Sequence, residues 1–105
     1  MAANHLTAAG LTVLDRNWRC AAGELDLVAA DGDELVVVEV KTRRTTTYGT
    51  PAEAVTWRKL ARLRRLAAAW LAAHDERPRS VRIDVVAVTV PRRGGPLVEH
   101  LKAVA

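Results

Sequence analysis

Apolar positions fall into four short strand-like runs and one longer run with helical spacing. An Ala-rich stretch over 2–9 ends at Gly10 and predicts a short helix closed by glycine. Leu11 to Trp18 is rich in strand formers and alternates for part of its length. Leu25 to Ala30 predicts a second strand and Glu34 to Thr42 a third, with Asp31-Gly32 as the hairpin turn between them. The unbroken run Leu35-Val36-Val37-Val38 implies that the third strand is buried on both faces near its start. After a polar loop from Thr45 to Thr50, Thr50-Pro51-Ala52-Glu53 predicts a helix N-terminus, with threonine as cap, proline in the first position and glutamate in the third. That helix is expected to run to about His74. Leu60, Leu63, Ala67, Trp70 and Leu71 form its apolar stripe, with Arg58, Arg62 and Arg65 on the opposite face. Glu76-Arg77-Pro78-Arg79 breaks it, and Val81 to Val90 predicts a fourth, central strand. Leu97 to Val104 reads as a last strand or a short helix. The order α-β-β-β-α-β, plus that final element, describes one α/β domain over residues 1–105, a mixed sheet flanked by helices.

Composition narrows the function classes. The 105 residues are half hydrophobic and 27% charged, enough for one packed core and too apolar for a disordered chain. Sixteen basic against twelve acidic residues leave a formal charge of +4, which favours anionic partners. Thirteen of the sixteen are arginine, whose planar fork suits phosphates and base edges. Phenylalanine is absent and aromatics make up 4%, which argues against an aromatic platform for single strands. One cysteine, Cys20, and three histidines exclude a zinc ribbon or a disulfide-stapled module. No window resembles a signal peptide or a membrane span, so the expectation is a soluble, cytoplasmic protein that makes no membrane contact.

Four charged residues interrupt the apolar second and third strands. Glu24 and Asp26 share one side of the second by period-two alternation, and Glu39 and Lys41 share one side of the third. A two-residue hairpin loop sets Glu24 opposite Glu39, and a four-residue loop sets Asp26 opposite Glu39. Either even-length loop gathers all four residues on one face, whereas an odd loop separates them. Three carboxylates on one face repel, and a hard divalent cation with oxygen ligands resolves that conflict. Such an ion polarises a phosphodiester, and Lys41 is placed to orient water or neutralise developing charge. The same alternation also describes the solvated face of a hairpin, with Lys41 pairing to a neighbouring acid. The buried start of the third strand favours a cleft over an open surface.

Asp26, a gap of twelve residues, and Glu39-Val40-Lys41 at the end of an apolar strand match the PD-(D/E)xK nuclease pattern. Together with Gly23-Glu24, Tyr48-Gly49, Pro51-Ala52-Glu53-Ala54-Val55 and a basic helix, the chain from about Gly10 to Val90 closely resembles the YraN family. Its members are small bacterial proteins regarded as predicted nucleases akin to Holliday junction resolvases. The resemblance implies a restriction-endonuclease-like αβββαβ core and a Mg²⁺- or Mn²⁺-dependent endonuclease acting on DNA, branched DNA included. It implies Asp26 and Glu39 as metal ligands, the Val40 carbonyl as a further ligand, Lys41 as the catalytic lysine, and Glu24 as an acid of lesser rank. The alternative is a DNA-binding module that keeps the fold without the activity. Resolvase relatives work as dimers, so a homodimer is also implied. Relatives carry a longer first helix, whose glutamate approaches the metal site. Aligning His5 to Gly10 with the end of that helix puts this glutamate just ahead of Met1 and makes the first helix here a truncated one.

The basic helix is the best candidate for nucleic-acid contact. Arg58, Arg62 and Arg65 recur at i, i+4 and i+7, with Lys59 and Arg64 beside them. Lys59, at the edge of the apolar stripe, can instead turn toward the carboxylates. Arg43 and Arg44 follow Lys41 closely enough to reach a phosphate bound beside it. Glu53 is explained by helix capping, Trp57 and Trp70 by core or interface packing, and Cys20 as a small buried residue. Asp84, alone in an apolar strand, is expected to form a structural ion pair with an arginine.

Overall fold

The computed structural model describes residues 2–44 and 56–104. Helix α1 (Ala2–Ala8) precedes strands β1 (Thr12–Cys20), β2 (Gly23–Asp31) and β3 (Glu34–Arg44). Helix α2 (Trp57–Ala73), β4 (Ser80–Val90) and β5 (Leu97–Leu101) follow. The strands form one sheet in the order β1-β2-β3-β4-β5. β3 and β4 are parallel, and every other neighbouring pair is antiparallel. A parallel pair cannot be joined by a tight turn, and α2 lies within the connection that carries the chain from β3 back to the start of β4. The terminal segment that the sequence left as strand or helix is the edge strand β5.

Alternation along β3 divides the core in two. Val36 and Val38 pack beneath α1 with Leu6, Leu27, Ala29, Val86 and Val88. Leu35 and Val37 pack beneath α2 with Leu63, Leu66, Ala67, Trp70 and Ile83. All four β3 residues are 2% exposed or less, as a strand covered on both faces requires. The α2 side is anchored at its far end, where Trp70 Nε1–H donates to Asp15 of β1 at 2.9 Å and the His74 ring stacks on Trp70.

Three expectations need correction. The helix predicted from Thr50 is not continuous to His74, because Thr56 is extended (φ −99°, ψ 164°) and caps α2 itself, its hydroxyl accepting from the Lys59 N–H. The cap assigned to Thr50, Pro51 and Glu53 lies outside the described residues. Trp57, expected in the core or an interface, is not in the core: it is 88% exposed, since it precedes the first buried turn of α2. The β2–β3 turn is Gly32-Asp33 rather than Asp31-Gly32, with Asp31 paired to Glu34 and Gly32 at φ +62°.

Asp84 does pair with an arginine, inside a larger network. Its fully buried carboxylate accepts two hydrogen bonds from Arg82 (2.8 and 3.0 Å), one from the Ala103 N–H (2.9 Å) and one from His100 Nε2 (2.7 Å). Arg82 also reaches Asp31 and Glu34, so the network ties the hairpin end of β2–β3 to β4 and to the chain after β5. Burial alone would raise the Asp84 pKa. The bonds from Arg82, Ala103 and His100 outweigh it and hold the carboxyl below its ordinary value. Stability from this group is therefore present above the ordinary carboxylate range and lost as pH falls through its lowered pKa. Asp84→Ala should cost about 3–5 kcal/mol in urea unfolding at neutral pH, because it removes the fully buried carboxylate that Arg82, His100 and the Ala103 N–H all bond. A loss under 1 kcal/mol would show that the network does not hold the sheet edge.

Candidate metal centre and nucleic-acid face

Backbone pairing between β2 and β3 runs from Asp31↔Glu34 to Leu27↔Val38 and then stops. The next pair in the same register is Asp26 and Glu39, the arrangement that a four-residue loop between Ala30 and Leu35 was expected to set. Here the strands part. The Val40 N–H donates to Asp26 Oδ2 at 2.9 Å, a side chain supplying the acceptor that a partner strand would otherwise provide. In an extended strand a residue's N–H and C=O lie along the same edge, so the Val40 carbonyl also faces this gap.

The parting coincides with a break in alternation. Leu25 packs beneath α2 and Leu27 beneath α1, although residues two apart in a regular strand share a face. Across on β1, Arg16 pairs with Leu27 and Trp18 with Leu25, and between them Asn17 takes φ +49°. Asparagine tolerates that left-handed conformation. Asp26 thus sits at a local twist. The expectation that Glu24, Asp26, Glu39 and Lys41 share one face is not met for Glu24. Next to Leu25, Glu24 falls on the α1 side, where Arg19 holds it at 2.9 Å. Glu39 lies on the α2 side, where Lys59 Nζ meets its Oε1 at 3.1 Å.

Asp26 is half-buried, and its pKa is raised. Burial is the main cause, and the charges of Glu39 and Glu24 add to it, against the Val40 N–H and the more distant Lys59. Lys41 lies two residues beyond Glu39 on the same side of β3, half-buried, with no ion pair among the described residues. Arg43 continues that side and Arg44 ends the strand. Lys59 does not join the outer stripe: its placement in the first turn, under the Thr56 cap, turns it toward Glu39.

Arg58, Arg62, Arg64 and Arg65 are all exposed and make no ion pair among the described residues, and α2 contains no acidic residue. Thr56, Arg58, Lys59, Ala61, Arg62 and Arg65 line an open depression, and Lys59 joins it to Glu39. On the other side of Asp26, a second depression is bordered by Ala2, Ala3, Arg16, Asn17, Leu27 and Val40. Arg16 and Asn17 were not singled out from sequence. Only the β1–β2 register, which sets them beside Asp26, could have revealed them. Among the described residues no three His, Cys, Asp or Glu side chains gather closely enough to cage a metal.

Fold and strand parting together define an α/β protein with a restriction-endonuclease-like core, a mixed sheet with a carboxylate pair where two central strands separate. The model of the uncharacterised protein family UPF0102 matches residues 1–88. UPF0102 proteins from Kineococcus radiotolerans and Beutenbergia cavernae are each 62% identical, covering 100% and 99% of this chain and 87% and 88% of their own. One from Streptomyces coelicolor is 56% identical over the whole chain and 82% of its own length. The chain belongs to the UPF0102, or YraN, family.

A raised carboxyl pKa means that ionising Asp26 opposes folding. In metal-free protein its contribution is most favourable below the ordinary carboxylate range and falls away as pH rises through the raised value. Asp26→Asn removes the charge and keeps an oxygen for the Val40 N–H. The substitution should raise the Tm by a few degrees at pH 7 in chelator, and the gain should vanish below pH 4. A lower Tm at pH 7 would contradict this electrostatic account.

Proposed function

We propose that this protein is a divalent-metal-dependent endonuclease that hydrolyses phosphodiester bonds in DNA, including branched DNA. The observation that carries this reading is Asp26, half-buried and under-compensated, in the gap between β2 and β3 beside Glu39. Perturbed carboxylates in such a gap are candidate functional groups. The available donors, two carboxylates and the Val40 carbonyl, are hard oxygens of the kind Mg²⁺ and Mn²⁺ prefer, and these ions keep several waters. Such an ion supplies Lewis-acid polarisation of a phosphoryl oxygen and a nucleophile at neutral pH.

The chain's own residues have separable roles in this reading. Asp26 and Glu39 hold the ion, and their mutual repulsion is relieved by it. Glu24, on the far side and paired with Arg19, contributes field at Asp26 rather than a ligand. Lys41 orients the attacking water or neutralises the charge that develops on the phosphate. Lys59 restrains the Glu39 carboxylate and links the site to the basic helix. Arg58, Arg62 and Arg65, with Arg43 and Arg44, take neighbouring phosphates. Two of the cations of α2, Arg58 and Lys59, sit in its first turn, where they oppose the helix dipole and no acid stands in that turn. A stability cost of that kind is intelligible where an anion binds.

A DNA-binding module without cleavage is the second reading, favoured by the missing third carboxylate among the described residues. Calorimetric titration of Mn²⁺ into wild type and Glu39→Ala separates the two. The nuclease reading expects binding by wild type that is lost in the variant. It also expects cleavage of linear or branched DNA to fall by about two orders of magnitude or more in Asp26→Ala, with DNA affinity kept. Absence of Mn²⁺ binding, with DNA affinity that weakens steeply as salt rises, would establish the binding module instead.

A further inference from the structure

Among the described residues, Trp57 packs into neither core cluster. It is the first residue of α2 and 88% exposed, while the other two tryptophans are buried or half-buried against the α2 side of the sheet. At 100° per residue, the buried Leu63, Leu66 and Trp70 lie about 120–180° around the helix from Trp57. Ala61, Arg64 and Arg65 project within a quarter-turn of the indole, and Arg58 is its immediate neighbour. An exposed indole loses the hydrophobic gain of burial, which for a ring of this size is large. The charged side chains beside it on the helix, Arg58, Arg64 and Arg65, are all cationic and α2 carries no acid, which favours a partner with negative charge.

We propose that Trp57 stacks on an unpaired base of a DNA strand whose phosphates are held by the arginines of α2. Nucleic acid is the anionic partner that also offers flat apolar faces, and aromatic stacking with flanking arginine is how unpaired bases are gripped without sequence preference. In intact duplex the base faces are covered, and an indole on this ridge gains nothing from them. Trp57 therefore discriminates by DNA structure, and the arginines supply affinity for any DNA. Arg58 and Lys59, which follow Trp57 in the chain, line the open depression, and Lys59 meets Glu39, so a base held by the indole lies at the end of α2 that is tied to that carboxylate. This inference rests on the reading of α2 as the DNA face and adds to it a residue that selects unpaired bases.

The test compares wild type, Trp57→Ala, Trp57→Phe and Arg62→Glu for binding to a blunt duplex and to the same duplex with a single-stranded overhang. Circular dichroism confirms folding, which an exposed side chain should not affect. Trp57→Ala is expected to weaken overhang binding about tenfold or more, with blunt-duplex affinity and the salt dependence unchanged. Trp57→Phe is expected to restore most of the loss. Equal weakening on both DNAs, or none on either, overturns the stacking role while leaving the arginine face intact if Arg62→Glu weakens both. Failure of wild type to bind either DNA overturns the stacking role and the DNA reading together. A change in self-association of Trp57→Ala by sedimentation, with DNA affinity unaltered, assigns the indole to contact between copies and also overturns the proposal.

Discussion

The hydrogen bond from the Val40 N–H to the Asp26 carboxylate is the interaction on which the rest of the candidate site depends. Between Asp31 and Leu27, β2 is an ordinary partner of β3. At Asp26 a side chain replaces the backbone as acceptor, and the strands part without leaving the Val40 amide unsatisfied. The substitution opens the sheet in its interior, at a position flanked by fully buried residues. It also holds a carboxylate half out of water, within the field of Glu39 and Glu24. The left-handed Asn17 across the sheet belongs to the same irregularity, since it lets β1 follow the twist of β2.

Two aspartates show how differently one side chain can be accommodated. Asp84 is fully buried, yet Arg82, His100 and the Ala103 amide surround it, and its carboxyl is held below the ordinary range. Asp26 is less buried but keeps one backbone donor against two neighbouring carboxylates, and its carboxyl is pushed up. The first is compensated within the chain and reads as structure. The second is under-compensated, the condition in which a carboxylate becomes a candidate functional group. Glu39 stands between these cases, answered by one lysine from α2. Through that lysine the carboxylate gap and the arginine face form a continuous region.

Much of this was legible in the residues. The Val-rich third strand predicted burial on both faces because apolar positions did not alternate there, and Leu35 to Val38 are buried. Gly10 predicted the end of the first helix, and its positive φ (+93°) agrees. A hairpin with an even loop has few registers, and one of the two weighed sets Asp26 opposite Glu39, the register that the strand pairing follows as far as Leu27 and Val38; Val40 was implied by the family resemblance alone. The pairing of Asp84 with an arginine followed from the cost of burying a lone charge.

Sequence by itself therefore determined the elements, the two-sided core and the neighbourhood of the candidate site, because periodicity and the cost of buried charge are local or nearly local. Tertiary structure decided what those rules do not contain. Alternation fails at Asp26, which sends Glu24 to the opposite face from Glu39, and no period-two count could show it. Arg16 and Asn17 arrive beside Asp26 through the register of β1. Thr56, not Thr50, caps α2, which turns Lys59 inward to Glu39 and leaves Trp57 in solvent. In each case the deciding contact joins residues on different elements. Its energy depends on how the sheet twists and the helix docks, and neither is written in any single stretch of the chain.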